Sequence, residues 1–343
     1  MFKKDPLKNI KKDRYAFIDN LRAVAIILVV LFHYTYHYDS EYLLRSDNWS
    51  LEIAKFGWSG VDIFFIVSGY CIGMTIIKTQ NFIEFVVRRV ARLYPGYLIC
   101  GLLTLIFYSY FDLPGREVDW FTGFMNLIFA NFIPGMNFKY IDGIYWALMV
   151  EIKFYLFFSL IFFFLKNLKK SINIWFIFCV LGNIISIFDK NSLIFITSIF
   201  PHANLFLIGL LIFHFDKVSL INKSIIFLFV IISLLTNERY TGFELYFVLL
   251  LSFVSLFLLK KIDLNIKILS SLGLISYTWY LTHNAIGIII IRELNNLELQ
   301  NISVISATVI TLFLSVIIYR FFEIGSKKRI IGFYKKIFKD DTK

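Results

Sequence analysis

Six ionisable side chains stand inside stretches of sequence that are otherwise apolar: Arg22, His33, Asp62, Glu151, Lys153 and His283. In the hydrocarbon core of a bilayer, an Arg, Lys or Asp costs at least about 2.5 kcal/mol on insertion scales, so such residues indicate functional sites. Their types suit acid–base chemistry, in which a base takes a proton and hydrogen-bond donors stabilise a developing negative charge. An imidazole titrates near neutral pH and a carboxylate can hold its tautomer, so His33 with Glu151 or Asp62 could supply the base.

The spacing of two of these residues places them on one side of a helix. Arg22 and His33 are eleven positions apart, which returns to nearly the same face about 16 Å further along the axis. Asp19, three residues before Arg22, is placed to form an ion pair with it. Structural interpretations compete with these: Arg22 could anchor the helix end, His33 could be a satisfied polar group in helix packing, and Asp62 could orient a neighbour.

The sequence does not favour a metal site. His33 and His37 have the i, i+4 spacing of two metal ligands, but no HExxH motif or further Cys/His cluster accompanies them, so we predict no metal. The three cysteines, Cys71, Cys100 and Cys179, all lie in apolar runs and imply no disulfide framework.

The composition is that of a membrane protein. Of the 343 residues, 58% are hydrophobic and 17% are charged, whereas a soluble domain is about 45–50% apolar. This excludes an ordinary soluble globule and a disordered chain. A net charge of +11 in a soluble protein could indicate nucleic-acid binding, but membrane topology explains the excess here, and we predict no nucleic-acid partner.

A spanning helix needs roughly 20 mostly apolar residues. Ten segments are candidates, of which 223–236 is short: 18–38, 58–78, 96–112, 143–165, 172–188, 192–213, 223–236, 243–259, 268–291 and 302–322. With the N-terminus inside, 26 of the 35 Lys and Arg residues fall in predicted cytoplasmic segments, in accord with the positive-inside rule. The sequence therefore predicts an all-α integral membrane protein, a bundle of about ten transmembrane helices with both termini cytoplasmic.

The same pattern predicts three regions: a basic cytoplasmic tail (1–17), a transmembrane domain (18–322) and a second basic cytoplasmic tail (323–343). The longest predicted outer segment, 113–142, contains an apolar piece, Trp120–Pro134. Because this piece is too short to span the bilayer, we expect it to be interfacial or re-entrant.

Five motifs, in order along the chain, resemble those of one family. IDNLRAVAIILVVLFHY (18–34) is similar to the first-helix signature of the acyltransferase 3 family, bacterial membrane O-acyltransferases that modify cell-surface glycans. The other four are GVDIFFIVSGY (60–70), RRVARLYPGY (88–97), YWALMVEIKFY (145–155) and SYTWYLTH (276–283). The resemblance covers essentially the whole chain.

This resemblance implies an acyl-coenzyme A donor on the cytoplasmic side, usually acetyl-CoA, and an acceptor hydroxyl on a sugar outside the cytoplasm. The chain would then be a multi-pass protein of the bacterial cytoplasmic (inner) membrane, in contact with membrane lipids. The residues it marks as essential are Arg22, His33, Arg89, Arg92 and Glu151. We assign catalysis to His33, Glu151, Asp62, Arg22 and His283. We assign the coenzyme A phosphates to Arg88, Arg89, Arg92 and Arg22, because guanidinium groups bind phosphate bidentately.

Two alternatives stay open. The arginines at 88–92 could instead obey the positive-inside rule or contact anionic lipid, and the whole chain could be a transporter or flippase of an acylated or polyprenyl-linked substrate. Some family members carry an extracytoplasmic SGNH-type domain after the bundle. This chain ends without one, so we expect a standalone O-acetyltransferase, or one with a separate extracytoplasmic partner, that acts on lipopolysaccharide O-antigen, capsule or a related lipid-linked sugar.

Overall fold

The computed structural model describes residues 6–38, 52–111, 113, 115–133, 136, 138–188, 199–214 and 266–339. Every regular element in these ranges is helical. The α-helices are α1 Pro6–Leu31, α2 Gly60–Ile76, α3 Phe82–Tyr110, α4 Trp120–Leu127, α5 Trp146–Leu165, α6 Leu168–Phe188, α7 Phe200–His214, α8 Lys267–Asn296, α9 Gln300–Ile318 and α10 Ile324–Lys339. A π-helical turn, Phe32–His37, continues α1, and a second one, Tyr319–Glu323, joins α9 to α10.

The described helices confirm the predicted all-α membrane architecture. Seven are long and apolar enough to cross a bilayer: Ala16–His37, Ala54–Ile76, Phe82–Tyr110, Gly143–Leu165, Leu168–Ile185, Lys267–Asn296 and Gln300–Phe338. The predicted span 192–213 corresponds to the shorter apolar helix Phe200–His214. The predicted spans 223–236 and 243–259 lie outside the described residues, so the total of about ten and the cytoplasmic location of both termini remain predictions.

The chain divides into two compact units, each assembled from segments distant in sequence. The first comprises Met1–Ala25, Ser59–Phe85 and Val150–Gly273. The second comprises Ile26–Trp58, Val86–Met149 and Leu274–Lys343. Neighbouring residues on one helix, such as Ala25 and Ile26 in α1, can therefore belong to different units.

The first unit is organised around a close crossing of α2 and α7. A Cβ added to Gly69 would meet the carbonyl group of Phe206, and one added to Gly209 would meet the carbonyl oxygen of Ile66. Lipid tails are as apolar as leucine, so helices in a membrane associate mainly through tight packing of small residues and through hydrogen bonds. Phe154 then stacks on the Phe206 ring, with ring centroids 4.1 Å apart.

The second unit is held together by buried hydroxyl groups between α8 and α9. Thr282 Oγ1 lies 2.9 Å from Ser315 Oγ, and Trp279 Nε1 donates to Thr311 Oγ1 at 3.2 Å. The Tyr34 hydroxyl, from the π-helical turn after α1, lies 3.2 Å from the same Thr311 oxygen. These bonds satisfy polar atoms that no lipid could satisfy.

The apolar piece that begins at Trp120 forms the short helix α4. Asp119 caps it by accepting a hydrogen bond from the Thr122 amide at 2.9 Å. Hydrogen bonds from the Thr122 side chain and then from its amide lower the pKa of the exposed Asp119 carboxyl. Asn126 is buried and donates to the carbonyls of Thr122 and Lys139, both at 2.8 Å. Because Trp120, Phe121 and Phe124 are exposed on this eight-residue helix, an interfacial position is favoured.

The last long helix extends well past the thickness of a bilayer. The apolar helical stretch Gln300–Phe338 contains 39 residues, which corresponds to about 58 Å, against about 30 Å of hydrocarbon. Part of it therefore lies outside the hydrocarbon region. In α10, the exposed Phe333 and Ile337 lie one helical turn apart, and the exposed Lys335 and Lys336 stand between them in sequence. Helices at a membrane surface carry apolar and basic side chains in this way.

The α2–α7 crossing provides a first prediction. Gly69→Ala or Gly209→Ala should each destabilise the protein by about 1–3 kcal/mol, because backbone atoms on the facing helix cannot move aside for the new methyl group. Thermal unfolding of the detergent-purified protein measures the effect. Gly325→Ala is the matched control, since a Cβ there meets nothing within 4 Å. Equal midpoints for all three variants would contradict this account of the crossing.

Candidate active site

His33 and His283 lie against each other in the second unit. His33 belongs to the π-helical turn Phe32–His37, and His283 lies near the middle of α8. His283 Nε2 is 3.3 Å from His33 Nδ1, and the two rings meet nearly edge to face, with centroids 5.1 Å apart. His283 is fully buried and His33 is half-buried. The structure thus brings together two histidines that the sequence proposed separately.

Backbone carbonyl groups around this pair indicate which nitrogen of each ring carries the proton. His283 Nδ1 faces the carbonyl oxygens of Tyr280 at 2.7 Å and Trp279 at 3.2 Å. His33 Nδ1 faces the Val29 carbonyl at 2.9 Å. Since a carbonyl oxygen can only accept, each Nδ1 carries the proton in the neutral ring. His283 Nε2 is then an acceptor for His33 Nδ1–H, and His33 Nε2 keeps a lone pair that can accept a proton.

Two cationic or titratable groups lie close to the pair. The His37 ring is 5.4 Å from the His33 ring, centroid to centroid. Arg116 Nη2 lies 3.5 Å from His37 Nε2. The sequence drew attention to His37 only through its i, i+4 spacing from His33, and Arg116 was not predicted. A signal existed: Arg116 is a cation in a predicted outer segment, where the positive-inside rule makes cations sparse.

Glu151 lies in the first unit, where two hydroxyl groups bind it. Ser68 Oγ and Tyr155 OH both donate to Glu151 Oε1 in close contacts. Tyr155 follows Glu151 by one turn of α5, and Ser68 comes from α2. Hydrogen bonds to an ionised acceptor are stronger than neutral ones, so this carboxylate is held in one orientation. The orienting role that the sequence proposes for Glu151 remains a prediction.

Arg22, also in the first unit, forms the ion pair predicted for it. Its Nη1 is 3.3 Å from Asp19 Oδ1, one helical turn earlier, which confirms the predicted pairing. Its Nη2 donates to Cys71 Sγ at 3.4 Å. Asp62 is buried in the first turn of α2, where the helix dipole favours a negative charge. Neither residue's predicted role is tested by these contacts.

Arg88, Arg89 and Arg92 are half-buried along the first half of α3, in the second unit. A reciprocal cap fixes where this helix begins: the Glu84 amide donates to Asn81 Oδ1 at 2.8 Å, and Glu84 Oε2 accepts from the Gln80 amide at 3.0 Å. Spacings of three and four residues place the arginines on neighbouring positions of the helix surface. Such a group of guanidinium ions can bind a polyphosphate.

A metal centre is not evident in the described ranges, where no group of three or more His, Cys, Asp or Glu side chains could hold an ion. The three cysteines are buried free thiols. The arrangement therefore offers acid–base chemistry by imidazole, a fixed carboxylate and a cluster of guanidinium groups.

Comparisons with known proteins agree with this chemistry. The family model described as "Acyltransferase domain" matches residues 15–320, so the chain belongs to the acyltransferase 3 family. The O-acetyl transferase of Shigella phage Sf6 is 27% identical over 187 residues, which cover 52% of this chain and 55% of that protein. O-acetyltransferase OatA of Staphylococcus aureus (strain NCTC 8325 / PS 47) is 31% identical over 176 residues, 46% of this chain and 26% of that protein. The alignments thus span about half or less of these curated relatives. No solved structure matches.

The environment of Glu151 leads to a prediction. Ser68→Ala or Tyr155→Phe should each lower stability by about 1.5–3 kcal/mol, because each removes a hydrogen bond to a charged group that is partly withdrawn from water. Ser159→Ala is the matched control: this buried α5 hydroxyl donates to the Leu156 carbonyl of its own helix. The thermal unfolding midpoints of the three variants measure the effect. If Ser159→Ala lowers the midpoint as much as the other two variants do, the hydrogen bonds to Glu151 have no special effect on stability.

Proposed function

We propose that this member of the acyltransferase 3 family is an O-acyltransferase of the bacterial cytoplasmic membrane. It moves an acyl group, most simply acetyl, from cytoplasmic acyl-CoA to a hydroxyl of an extracytoplasmic or lipid-linked glycan, such as lipopolysaccharide O-antigen or capsule. The observation that carries the proposal is the geometry at His33, whose Nδ1 lies 2.9 Å from the Val29 carbonyl oxygen and 3.3 Å from His283 Nε2. This geometry favours a proton on Nδ1 and leaves Nε2 to act as a base. The names of the two O-acetyltransferase relatives support the choice of acetyl.

In the proposed reaction, His33 Nε2 takes the proton of the acceptor hydroxyl as the hydroxyl oxygen attacks the thioester carbonyl carbon. A C–O bond forms, the C–S bond breaks, and the proton passes to the departing coenzyme A sulfur. The imidazolium formed at His33 keeps its Nδ1–H between the Val29 carbonyl and His283 Nε2. Both acceptors stabilise the positive charge, as an orienting carboxylate does in a catalytic triad.

Arg88, Arg89 and Arg92 are the proposed contacts of the coenzyme A pyrophosphate and 3′-phosphate. Their half-buried position restricts the side chains, and restricted guanidinium groups lose less entropy when they bind phosphate. Arg22, Asp62 and Glu151 remain proposed catalytic positions, with Arg22 and Glu151 held by Asp19 and by the Ser68 and Tyr155 hydroxyls.

The base role predicts the behaviour of His33→Asn. The Asn amide can still donate towards the Val29 carbonyl, so the fold should survive, but an amide is no base at neutral pH. Transfer of label from acetyl-labelled acetyl-CoA into glycan, measured in membranes, should fall by about 100-fold or more. His214→Asn, at the last residue of α7 in the first unit, is the matched control and should keep wild-type transfer.

Each result of this experiment bears on the proposal. If glycan is labelled with the wild type and not with His33→Asn, the result supports the acyltransferase activity and the role of His33 as its base. Free labelled acetate that depends on His33 supports the enzyme and indicates that the acceptor is missing from the membranes. Equal results for wild type and His33→Asn, without label in either product, would overturn the proposal in favour of a transporter, which needs no general base.

Donor binding by the arginines is tested separately. Arg89→Ala should raise the KM for acetyl-CoA by about tenfold, the effect of about 1.4 kcal/mol of lost phosphate contact, with little change in the rate at saturation. Arg329→Ala removes an exposed cation from α10 and should leave the KM unchanged. If both variants raise the KM equally, general electrostatics rather than a phosphate site is responsible.

A further inference from the structure

Asp142 is a buried carboxylate that lies just before the predicted span 143–165. Only 1% of its surface is exposed, and it directly precedes the short 3₁₀ turn Gly143–Tyr145. Its Oδ1 accepts from Asn284 Nδ2 at 2.5 Å and caps the turn through the Ile144 amide at 3.3 Å. Its Oδ2 accepts from the Ala285 amide at 2.9 Å. The carboxylate thus binds the two residues that follow His283.

The same turn binds the residues that precede His283. The Tyr145 hydroxyl donates to the Leu281 carbonyl at 3.1 Å. The Tyr280 hydroxyl donates back to the Ile144 carbonyl at 2.9 Å. We call this set of contacts, from residues 142–145 to residues 280–285, the Asp142 clasp.

The clasp engages α8 at the helical turn that contains His283. The helix is continuous here, from Lys267 to Asn296. The Ala285 amide also donates to Asp142, and the Leu281 carbonyl also accepts from the Tyr145 hydroxyl. The carbonyl of His283 itself accepts from the Tyr34 hydroxyl at 2.8 Å. The backbone on both sides of the histidine is therefore held from outside the helix.

Burying this carboxylate is unfavourable, which suggests a use for it. Burial raises the pKa of Asp142, and hydrogen bonds from Asn284 and backbone amides together with the charge of Arg116 only oppose that rise. A hydrophobic side chain could fill the same space without such a penalty. What a hydrophobic side chain could not do is bind the amides beside His283 in one register.

From this geometry we infer that Asp142 is a positioning residue: through Asn284 and Ala285 it holds His283 Nε2 where it accepts the His33 Nδ1–H bond. The inference rests on the proposed function, in which that bond orients the base. It assigns no contact with substrate to Asp142. His283 Nε2 is 3.3 Å from His33 Nδ1, and a contact of about 3.6 Å is no longer a hydrogen bond. A small displacement of His283 would therefore break this bond.

The test compares Asp142→Ala with an exchange variant, Asp142→Asn with Asn284→Asp. In the exchange variant the new amide can donate to the new carboxylate and its oxygen can accept from the Ala285 amide. Both bonds to α8 are thus rebuilt, and only the Ile144 amide loses its acceptor. We expect Asp142→Ala to lower the saturating rate of acetyl transfer by about 10–100-fold, the cost of misplacing a catalytic group by about 1 Å. The KM for acetyl-CoA should change less than about twofold, and the exchange variant should recover most of the rate.

Asn126→Ala is the matched control for lost stability. Asn126 is as buried as Asp142 and donates to two carbonyls of its own segment, at Thr122 and Lys139, not to α8. It should lower the unfolding midpoint while keeping the saturating rate. Should Asp142→Ala give no folded protein, Asn284→Ala takes its place, because it breaks the clasp and leaves the carboxylate.

The outcomes separate this inference from the proposed function. Loss of rate in Asp142→Ala, or in its substitute, with recovery in the exchange variant supports positioning. A wild-type rate in the clasp variants while His33→Asn is inactive overturns the inference and leaves the acyltransferase intact. An equal loss in Asn126→Ala also overturns it, since the effect would then be general destabilisation. If His33→Asn transfers acetyl at the wild-type rate, its role as the base has failed and this inference fails with it. If not even the wild type labels glycan or releases acetate, the proposed function itself has failed.

Discussion

A polar atom within the hydrocarbon region has to find its partner inside the protein, and this constraint explains most of the described architecture. Hydroxyl groups join α8 to α9 through Thr282 and Ser315, and Glu151 is held by the Ser68 and Tyr155 hydroxyls. The histidine pair follows the same rule: backbone carbonyls satisfy each Nδ1. Because the carbonyls favour a proton on each Nδ1, satisfying these polar atoms also leaves His33 Nε2 with the lone pair that the proposed base role needs.

Much of this organisation could be predicted because hydropathy and charge report directly on membrane insertion. Seven predicted spans appear as long apolar helices in the described part of the chain, an eighth as the shorter Phe200–His214. The ion pair of Arg22 with Asp19 followed from helical spacing. Both members of the histidine pair, His33 and His283, are ionisable residues within apolar stretches and were predicted as site residues for that reason.

What the sequence could not supply was the set of contacts between helices. Nothing local indicates that His283 Nε2 would face His33 Nδ1, because this depends on which faces of α1 and α8 meet. Asp142 and Arg116 were missed for a different reason. Both lie in the segment 113–142, between two predicted spans. A charged residue is ordinary in such a segment, so its charge alone does not indicate a site. Their significance is visible only through Asn284 and His37, which they contact.

The burial of all three thiols has a practical consequence for establishing the orientation of the chain. Cys71, Cys100 and Cys179 are the complete cysteine content of the sequence, and none is accessible at the surface. A membrane-impermeant maleimide should therefore find no target on the native protein. A single cysteine introduced at an exposed position, such as Phe121 in α4 or Phe338 in α10, would then report by itself which side of the bilayer that helix faces, against a background that needs no prior removal of native thiols.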